Sequence, residues 1–582
     1  MTANQTLTER HSARSELGGA LGACRSAFVG VGVMSFVINI LYLTGSFFML
    51  EVYDRVLPSR SVPTLVGLII LAGGLYVVQG ILDLIRGRIL IRIGSTLDEM
   101  LSRRVYDVVV RMPLLAGNRA EGLQPLRDLD NIRAFLSGMG PGALFDLPWL
   151  PLYLIICFTF HPLIGITALV GAILLIALTM MTEYLTNEPM KRSAGLAMRR
   201  QDLALASRRN AEVLVAMGMA GRVAQTWSES NRNYLASNER ASDVAGGLGA
   251  IAKVMRMMLQ SAVLGVGAYL VINQQATAGI IIAGSILSAR ALAPVDLAIA
   301  HWKGFVAARQ SWNRLNRLLG MIPEQAAPTL LEAPSAKLSV EALSVNPPGE
   351  QKVVVQDVTF VLEAGQAVGV IGPSGSGKSS LARALVGVWQ PLRGKVRLDG
   401  AAIDQWSPEV LGRYIGYLPQ DVELFAGSIA QNIARFEENA DSEGIIAAAR
   451  QARVHDLIIG MRDGYDTQVG EQGSVLSAGQ AQRIALARAL YGNPFLVVLD
   501  EPNSNLDSEG DAALNAAILS VRARGGIVVV VAHRPIGIES VDLLLVLKDG
   551  RAQAFGPKDA VLGQVLQRPA IKIVSDKGGA QP

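Results

Sequence analysis

The chain has 582 residues, of which 50% are hydrophobic and only 18% are charged. Its length exceeds that of one compact domain, and the apolar composition excludes an ordinary soluble protein and points to a membrane protein. The formal net charge of +4 gives no reason to expect a nucleic-acid partner, and the two cysteines, Cys24 and Cys157, are too few and too far apart for a disulfide framework or a zinc site.

Six apolar segments in the first half of the chain predict six membrane-spanning helices. The first is long enough to cross roughly 30 Å of hydrocarbon as a helix. The segments cover about residues 26–50, 62–84, 144–160, 163–184, 254–272 and 276–299. Residues 1–25 lack the cleavage site of a signal peptide, so we expect them to form a cytosolic tail in front of a membrane domain over residues 26–318.

The loops between these segments alternate in charge. Arginines crowd the long loops after the second and fourth segments, whereas the links at residues 161–162 and 273–277 have no Lys or Arg. Because Lys and Arg favour the cytoplasmic side, we expect both long loops and both termini to be cytoplasmic. Helical periodicity continues through these loops, which predicts helices that extend beyond the bilayer.

Two charged pairs within the apolar segments need partners in a membrane. Asp83 with Arg86, and Arg290 with Asp296, are predicted to pair near the ends of their helices, and a role in a pathway through the membrane is the alternative.

The composition changes after about residue 318. Residues 319–336 are rich in Pro and Ala and predict a linker. Over residues 337–570, short β-branched runs alternate with amphipathic helices, which predicts a mostly parallel sheet buried on both faces. Residues 571–582 are expected to be a flexible tail. The predicted fold is therefore a six-helix all-α membrane domain followed by an α/β domain.

The stretch GPSGSGKSS, residues 372–380, lies between a predicted strand and a predicted helix. This is the pattern of a phosphate-binding loop, in which glycines let backbone N–H groups close around phosphates, a lysine reaches the outer phosphates and a hydroxyl ligates Mg²⁺. The nucleotide-binding residues that it predicts are Gly372, Ser374, Gly375, Gly377, Lys378, Ser379 and Ser380, with Ser379 also a metal ligand.

An acidic pair follows the hydrophobic run FLVVL. Asp500 is placed to hold Mg²⁺, and Glu501 to orient and deprotonate the attacking water. His533, at the end of another apolar run, is predicted to contact the γ-phosphate. Glu501 and His533 are the candidate catalytic residues.

The stretch LSAGQAQRIALARAL, residues 476–490, resembles the signature motif of ATP-binding cassette (ABC) transporters. Ser477, Gly479 and Gln480 match it, with Ala478 in place of its middle glycine. In that family the motif contacts ATP bound to the opposite subunit, which implies a homodimer that uses ATP and Mg²⁺. Gln420 matches the loop that touches Mg²⁺ and the membrane domain, and Asp507 matches the D-loop.

Other segments resemble a narrower group. The run DTQVGEQG, which includes Glu471, is similar to a loop of exporter-type cassettes. The runs LEVYDRVLPSRSVPTL, LFDLPWLPLYLIICFTFHPLIG, RRNAEVLVAMGM and VVLDEPNSNLDSEG are similar to type I secretion ATPases, which export RTX-type proteases, lipases and related unfolded proteins with a C-terminal signal. The resemblance implies a bacterial inner-membrane protein that works among membrane lipids with a periplasmic adaptor, a TolC-like outer-membrane channel and a secreted substrate. A lipid or drug exporter on the same scaffold is the alternative.

Two departures from relatives affect these expectations. Val345 and Asn346 stand where the family usually has an aromatic residue that stacks on adenine. With a first span near residue 26, there is no room for the N-terminal cysteine-peptidase domain of some relatives, so we expect cargo capture by the membrane and cassette domains. The identities of the cargo and the adaptor stay open.

Overall fold

The computed structural model describes residues 15–117, 122–322, 331–470, 473, 475–504, 508–532 and 539–566. These residues divide into two compact units. The first, the membrane unit, contains the described residues of 15–109 and 122–322, and the second, the cassette unit, contains those of 110–117 and 331–566.

The described chain up to Met321 is helical. Its α-helices are Glu16–Ala23 (α1), Arg25–Leu41 (α2), Thr44–Glu51 (α3), Leu57–Ser59 (α4), Val62–Ala116 (α5), Gln124–Leu136 (α6), Gly140–Asp146 (α7), Leu150–Phe160 (α8), Pro162–Arg209 (α9), Ala211–Ala216 (α10), Ala220–Ile272 (α11), Ala278–Ala300 (α12) and Trp302–Met321 (α13). A π-helical turn, Val52–Val56, precedes α4, and a 3₁₀ turn, Leu147–Trp149, precedes α8.

Six helical stretches of the described residues are long and apolar enough to cross a membrane. They are Arg25–Ser59, Val62–Ala116, Gly140–Phe160, Pro162–Arg209, Ala220–Ile272 and Ala278–Ala300. The predicted count of six is confirmed. Helices α5, α9 and α11 have 55, 48 and 53 residues, far more than the roughly 20 that a bilayer core requires. They extend through the basic loops, as the helical periodicity of those loops predicts.

The C-terminal end of the first span contacts the beginning of the sixth. The π-helical turn Val52–Val56 carries Asp54, whose carboxylate accepts hydrogen bonds from the Thr277 hydroxyl at 2.5 Å and from the Gly279 N–H at 2.9 Å. The first turn of a helix has N–H groups without intrahelical partners. Asp54 therefore caps α12, although 223 positions separate it from Thr277 in the sequence.

A buried polar network joins the first three spans. Arg86 donates to Asp146 at 3.0 Å and to Asp83 at 2.8 Å, which confirms the predicted Asp83–Arg86 pair. Asn39 donates to Asp146 at 2.8 Å and accepts from the Tyr153 hydroxyl at 2.8 Å. Since buried charges are stable only when they are paired and hydrogen-bonded, this network fixes how the three spans pack.

The predicted pair of Arg290 and Asp296 is wrong. Asp296 instead accepts from Arg256 of α11 at 2.7 Å, and the Arg290 guanidinium lies over the ring of Tyr42, 4.6 Å from its centroid. Six residues correspond to about 600° of rotation at 3.6 residues per turn, so side chains at this spacing lie on different faces of a helix.

The predicted N-terminal tail contains a helix, α1. Leu17 of α1 is fully buried, and Glu16 forms an ion pair with Arg104 of α5 at 3.1 Å. The Arg104 guanidinium also donates to the carbonyl of Ile322, beyond the end of α13. The burial of Leu17 and the Glu16–Arg104 pair hold this segment in place.

Helices α6 and α13 are joined by a buried carboxylate. Asp128 of α6 is fully buried and accepts from Nε of Arg314 at 3.0 Å and from the Ser311 hydroxyl at 2.9 Å. Gln124, one turn earlier on α6, donates to the same carboxylate at 2.9 Å. This cluster holds α6 against the helix that leads toward the predicted linker.

The domain boundaries stay predictions, but two element ends lie close to them. Helix α13 ends at Met321, the third residue of the predicted linker 319–336, and the first strand begins at Lys337, directly after that linker. The predicted tail 571–582 lies outside the described residues.

The cassette unit is built on two sheets. Its strands are Lys337–Val345 (β1), Val355–Glu363 (β2), Ala367–Ile371 (β3), Arg393–Leu398 (β4), Ala401–Ala402 (β5), Ile415–Leu418 (β6), Leu496–Asp500 (β7), Ile527–Val531 (β8), Leu543–Lys548 (β9) and Arg551–Pro557 (β10). The smaller sheet has the order β2-β1-β4-β5 and is antiparallel. The larger has the order β10-β9-β3-β8-β7-β6, in which only β10 runs antiparallel to its neighbour.

Helices cover this larger sheet. They are Lys378–Leu385 (α14), Pro408–Tyr414 (α15), Ile429–Ile433 (α16), Ser442–Gln451 (α17), His455–Ile459 (α18), Ala478–Leu490 (α19), Ser508–Ala523 (α20) and Lys558–Leu566 (α21), with 3₁₀ turns at Ile403–Gln405 and Gly464–Asp466. Every residue of β7 and β8 is buried, and the predicted mostly parallel sheet buried on both faces is confirmed. The carboxyl ends of β3, β6 and β7 meet at one edge, where ligands bind in such sheets.

Candidate functional site

The loop after β3 approaches neighbouring backbone so closely that glycine is required. A Cβ on Gly372 would lie 2.0 Å from the carbonyl oxygen of Leu547, and one on Gly377 would lie 2.5 Å from that of Val354. Gly377 also has φ of +95°, in the region that favours glycine. The glycine spacing therefore serves this tight turn, which ends where α14 begins at Lys378.

The lysine of this loop lies inside it. The Lys378 side chain is 4% exposed, and its ammonium donates to the carbonyl oxygens of Gly372 and Pro373 at 2.9 Å each. Burial lowers the pKa of Lys378, while the nearby charges of Glu501 and Asp500 oppose this shift. A cation held by neutral carbonyls in a glycine loop is suited to bind phosphate oxygens.

The geometry around Asp500 fits a divalent cation. The Ser379 hydroxyl donates to Oδ1 of Asp500 at 3.0 Å, while Oδ2 is buried and has no hydrogen-bond partner among the described residues. Burial raises the pKa of Asp500, the hydrogen bond from Ser379 lowers it, and the charge of Glu501 raises it further. An unpartnered buried carboxylate oxygen beside a hydroxyl is an oxygen-donor set that Mg²⁺ prefers.

Glu501 follows β7 and contacts the loop after β6. The side-chain amide of Gln420 donates to Oε2 of Glu501 at 3.2 Å. Glu501 has φ of +52°, which is rare for a residue with a side chain, and its N–H donates to the carbonyl of Val531 in β8. Strained backbone of this kind persists where the surrounding structure enforces it, and it often occurs at functional sites.

The signature residues form the start of a helix. Ser477 caps α19: its hydroxyl accepts from the Gln480 N–H at 3.3 Å, and the Gln480 side chain accepts from the Ser477 N–H at 3.0 Å. This reciprocal capping box begins the helix, Gly479 lies in its first turn, and Ser477 and Ala478 are exposed. A helix N-terminus with free N–H groups favours an anion.

One residue that sequence reasoning missed links α19 to the acidic pair. Gln482 is buried, and its side-chain amide donates to the carbonyl of Pro502 at 2.5 Å, with the carbonyl of Glu501 at 3.5 Å. It therefore fixes the backbone just after the candidate catalytic carboxylate. Its position directly after the signature motif on a helix was the only available signal.

The residues that replace the adenine-stacking aromatic have other contacts. Val345 is fully buried at the end of β1, and the Asn346 side-chain amide donates to the carbonyl of Glu350 at 2.6 Å. Neither side chain presents a flat apolar face for a base.

The structure thus brings together Lys378, Ser379, Asp500, Glu501 and Gln420. The signature residues Ser477 and Gln480 are not part of this group: the hydrogen bonds of their side chains join Ser477 to Gln480. Two predicted site residues, His533 and Asp507, and the exporter-loop residue Glu471 lie outside the described residues.

Family models match both units. The model described as ABC transporter matches residues 355–504, and the model described as ABC transporter transmembrane region matches residues 28–295. The chain belongs to the ABC transporter family. The cassette domain of this family implies that the chain binds nucleotide and is an ATP-hydrolysing transporter. The prediction made from its motifs is confirmed.

Curated relatives of this ABC transporter are secretion proteins. It is 59% identical over 563 residues to the Type I secretion system ATP-binding protein PrsD of Rhizobium meliloti (strain 1021), covering 96% of this chain and 97% of the relative. It is 27% identical to the Toxin RTX-I translocation ATP-binding protein of Actinobacillus pleuropneumoniae and 28% identical to the Leukotoxin translocation ATP-binding protein LktB of Mannheimia haemolytica. Both alignments cover 92% of this chain and 76% of the relative. The predicted membership of the type I secretion group is confirmed.

A solved structure shares the transporter's fold. A bacterial Atm1-family ABC exporter with ATP bound matches with a TM-score of 0.79 at 21% identity, over 94% of this chain and 97% of that one. The predicted architecture, an exporter membrane domain followed by a nucleotide-binding domain, is confirmed.

Proposed function

We propose that this transporter uses ATP hydrolysis to export an unfolded protein across the bacterial inner membrane as the ATPase of a type I secretion system. The observation that carries the proposal is the 59% identity to a type I secretion ATP-binding protein over nearly the full length of both chains. Because the alignment covers 96% of this chain, the similarity includes the membrane unit as well as the cassette unit.

The phosphate-binding loop is the proposed ATP site. The N-terminus of α14 and the loop's backbone N–H groups, from Gly372 through Ser374, Gly375 and Gly377 to Ser380, would surround the phosphates. Lys378 would exchange its two carbonyl partners for the outer phosphate oxygens. Binding therefore replaces neutral acceptors by charged ones, which strengthens each hydrogen bond.

Ser379, Asp500 and Gln420 are the proposed ligands of Mg²⁺. The unpartnered Oδ2 of Asp500 supports this assignment, because burial of a carboxylate is unfavourable without a compensating charge. The ion, when bound, neutralises phosphate charge that develops during hydrolysis. Ser379 and Asp500 already lie in contact, so little rearrangement is needed for both to serve one ion.

Glu501 is the proposed general base. Its strained backbone and the hydrogen bond from Gln420 hold the carboxylate at the same sheet edge as Lys378 and Asp500. There it would orient a water molecule and accept its proton. We propose that His533 contacts the γ-phosphate in the same reaction.

Two copies of the chain are proposed to complete each site. The exposed start of α19, with Ser477, Gly479 and Gln480, would bind the γ-phosphate held by the partner, and Asp507 would contribute at the same interface. Closure of two cassettes on two ATP molecules would then shift the membrane unit toward the periplasm, and hydrolysis would reset it.

The proposed surroundings follow from the type I secretion assignment. The transporter would lie in the inner membrane with both termini in the cytoplasm, because the basic loops next to the spans favour that side. A periplasmic adaptor and a TolC-like outer-membrane channel would receive the cargo, which would carry a C-terminal signal.

Co-purification tests this proposal. Glu501→Gln is expected to bind ATP without hydrolysing it, and so to trap an ATP-bound dimer with its partners attached. The variant is purified from the native cell envelope, and mass spectrometry identifies the attached proteins. We expect a periplasmic adaptor and a protein with a C-terminal secretion segment.

Lys378→Ala is the matched control, because a chain that cannot hold ATP cannot form the trapped state. A Glu501→Gln dimer that carries only lipid would contradict protein export and favour the lipid or drug exporter. Normal ATP turnover by Glu501→Gln would overturn the assignment of the base.

A further inference from the structure

An arginine lies at the middle of the sixth span. Arg290 is residue 13 of the 23 in α12, so about 18 Å of helix separates it from the start of the span. A charged side chain at this depth is costly unless it faces water, a polar partner or the protein interior. Such residues are therefore candidates for a role in transport.

Arg290 is the one exposed residue in the central part of α12. Over residues 279–296, all of which the structure describes, every other residue is buried or half-buried. Helix α12 is the most buried of the six spans: 56% of its apolar window is buried, against 6–39% for the others. A span this buried touches lipid little, so Arg290 is expected to face a water-filled space or a second copy of the chain.

The ring of Tyr42 positions the Arg290 guanidinium and leaves the N–H groups at its edge available to a further acceptor. Its carbon lies 4.6 Å from the ring centroid of Tyr42, at the break between α2 and α3. Arg86 engages Asp83 and Asp146, and no ion pair joins Arg290 to a carboxylate within the described part of the chain. A cation stacked on a ring uses one face of its plane and leaves the N–H donors at the edge for another group.

We propose that Arg290, presented by Tyr42, binds carboxylate side chains of the exported polypeptide as the polypeptide crosses the membrane unit. This inference rests on the proposed function. A guanidinium offers parallel N–H donors that match a carboxylate in a bidentate arrangement. A single solvated pair of this kind is weak, so each acidic residue is held briefly and then released as the chain advances.

Peptide binding tests the site. The probes are a fluorescent unstructured Gly-Ser peptide with several glutamates and the same peptide with glutamines in their place. Binding to the purified full-length transporter in lipid nanodiscs is followed by fluorescence anisotropy at low salt. We expect the wild-type chain to bind the glutamate peptide about ten-fold more tightly than the glutamine peptide. Arg290→Gln should abolish this preference, and Arg290→Lys should retain part of it.

Leu297→Gln is the matched control, because Leu297 is 38% exposed and lies seven residues further along the same face of α12. It should leave the preference unchanged. Persistence of the preference in Arg290→Gln would overturn the inference. If that variant also lowers the melting temperature of the assembled transporter, Arg290 contacts a second copy instead.

The experiment separates this inference from the proposed function. Equal wild-type binding of both peptides overturns only the role of Arg290. Binding of neither peptide by the wild-type chain likewise overturns only the role of Arg290, because protein export is tested separately by co-purification with Glu501→Gln.

Discussion

The side-chain amide of Gln420 donates a hydrogen bond to Oε2 of Glu501 across 3.2 Å. Gln420 follows β6 and Glu501 follows β7, and these strands are neighbours in the larger sheet. The proposed base is thus oriented by a residue of the loop after the neighbouring strand.

Gln420→Ala should slow ATP turnover. The substitution removes a hydrogen bond to a charged group, which is worth about 1.5 kcal/mol or more, and this corresponds to about a ten-fold lower kcat. Steady-state ATPase assays of the purified transporter measure it. Gln390→Ala, at an exposed position of the cassette unit, should turn over normally. Equal rates for the two variants would show that the contact has no part in hydrolysis.

Ser379→Ala should raise the Mg²⁺ requirement. The Ser379 hydroxyl lies 3.0 Å from Oδ1 of Asp500, and its loss removes one proposed oxygen ligand. We expect the Mg²⁺ concentration that gives half-maximal ATPase activity to rise about ten-fold or more. The control is Ser339→Ala on β1 of the smaller sheet, which should leave the titration unchanged. An unshifted midpoint for Ser379→Ala would exclude the residue as a ligand.

Gly279→Ala should weaken the link between the first and sixth spans. A Cβ at Gly279 would lie 2.6 Å from the carboxyl carbon of Asp54 and would displace the carboxylate from its capping position. Loss of a helix cap costs about 1 kcal/mol, which should lower the melting temperature in detergent. Asp54→Ala should have a similar effect.

The matched control is Gly265→Ala in α11, where an added Cβ meets nothing within 4 Å. That substitution should be neutral or slightly stabilising, since alanine favours helix over glycine. Identical melting temperatures for the two glycine variants would argue against the cap.

Much of the candidate site could be predicted from the sequence. The glycine loop, the acidic pair and the signature helix are each formed by residues that are close together in the sequence. Each motif therefore determines its own local geometry. The Ser477–Gln480 capping box is an example, because both partners lie within one helical turn. The apolar strands then bring Asp500 to the edge where Ser379 lies.

Contacts between distant segments could not be predicted in the same way. Periodicity identifies the spans but does not determine which helix faces which, so it gave no reason to pair Arg256 with Asp296 or Asp54 with Thr277. The left-handed backbone of Glu501 also has no local signal, because glycine would be the residue expected there.

Asp128→Ala should strongly destabilise the membrane unit. The carboxylate is fully buried, and its removal would leave the Arg314 guanidinium and the Ser311 hydroxyl without this acceptor. Because the Arg314 side chain is 37% exposed, the expected cost is that of removing a buried hydrogen-bonded acceptor, about 1–3 kcal/mol. The measurement is the thermal unfolding midpoint of the purified protein.

Asp130→Ala provides the comparison two residues away. Asp130 is 60% exposed and pairs with Arg133 at 2.6 Å, so its loss should cost about 0.5 kcal/mol or less. Similar midpoints for Asp128→Ala and Asp130→Ala would contradict the structural importance of the buried cluster.

The central claim is that ATP hydrolysis at Glu501 exports protein. The most direct measurement compares the proteins in the culture medium of cells that carry the wild-type transporter, Glu501→Gln or a deletion. The account predicts that at least one protein with a C-terminal secretion segment is present in the medium of wild-type cells and absent from that of the other two, where it stays in the cell. Identical sets of extracellular proteins in all three strains, with altered envelope lipids in the two mutants, would contradict it.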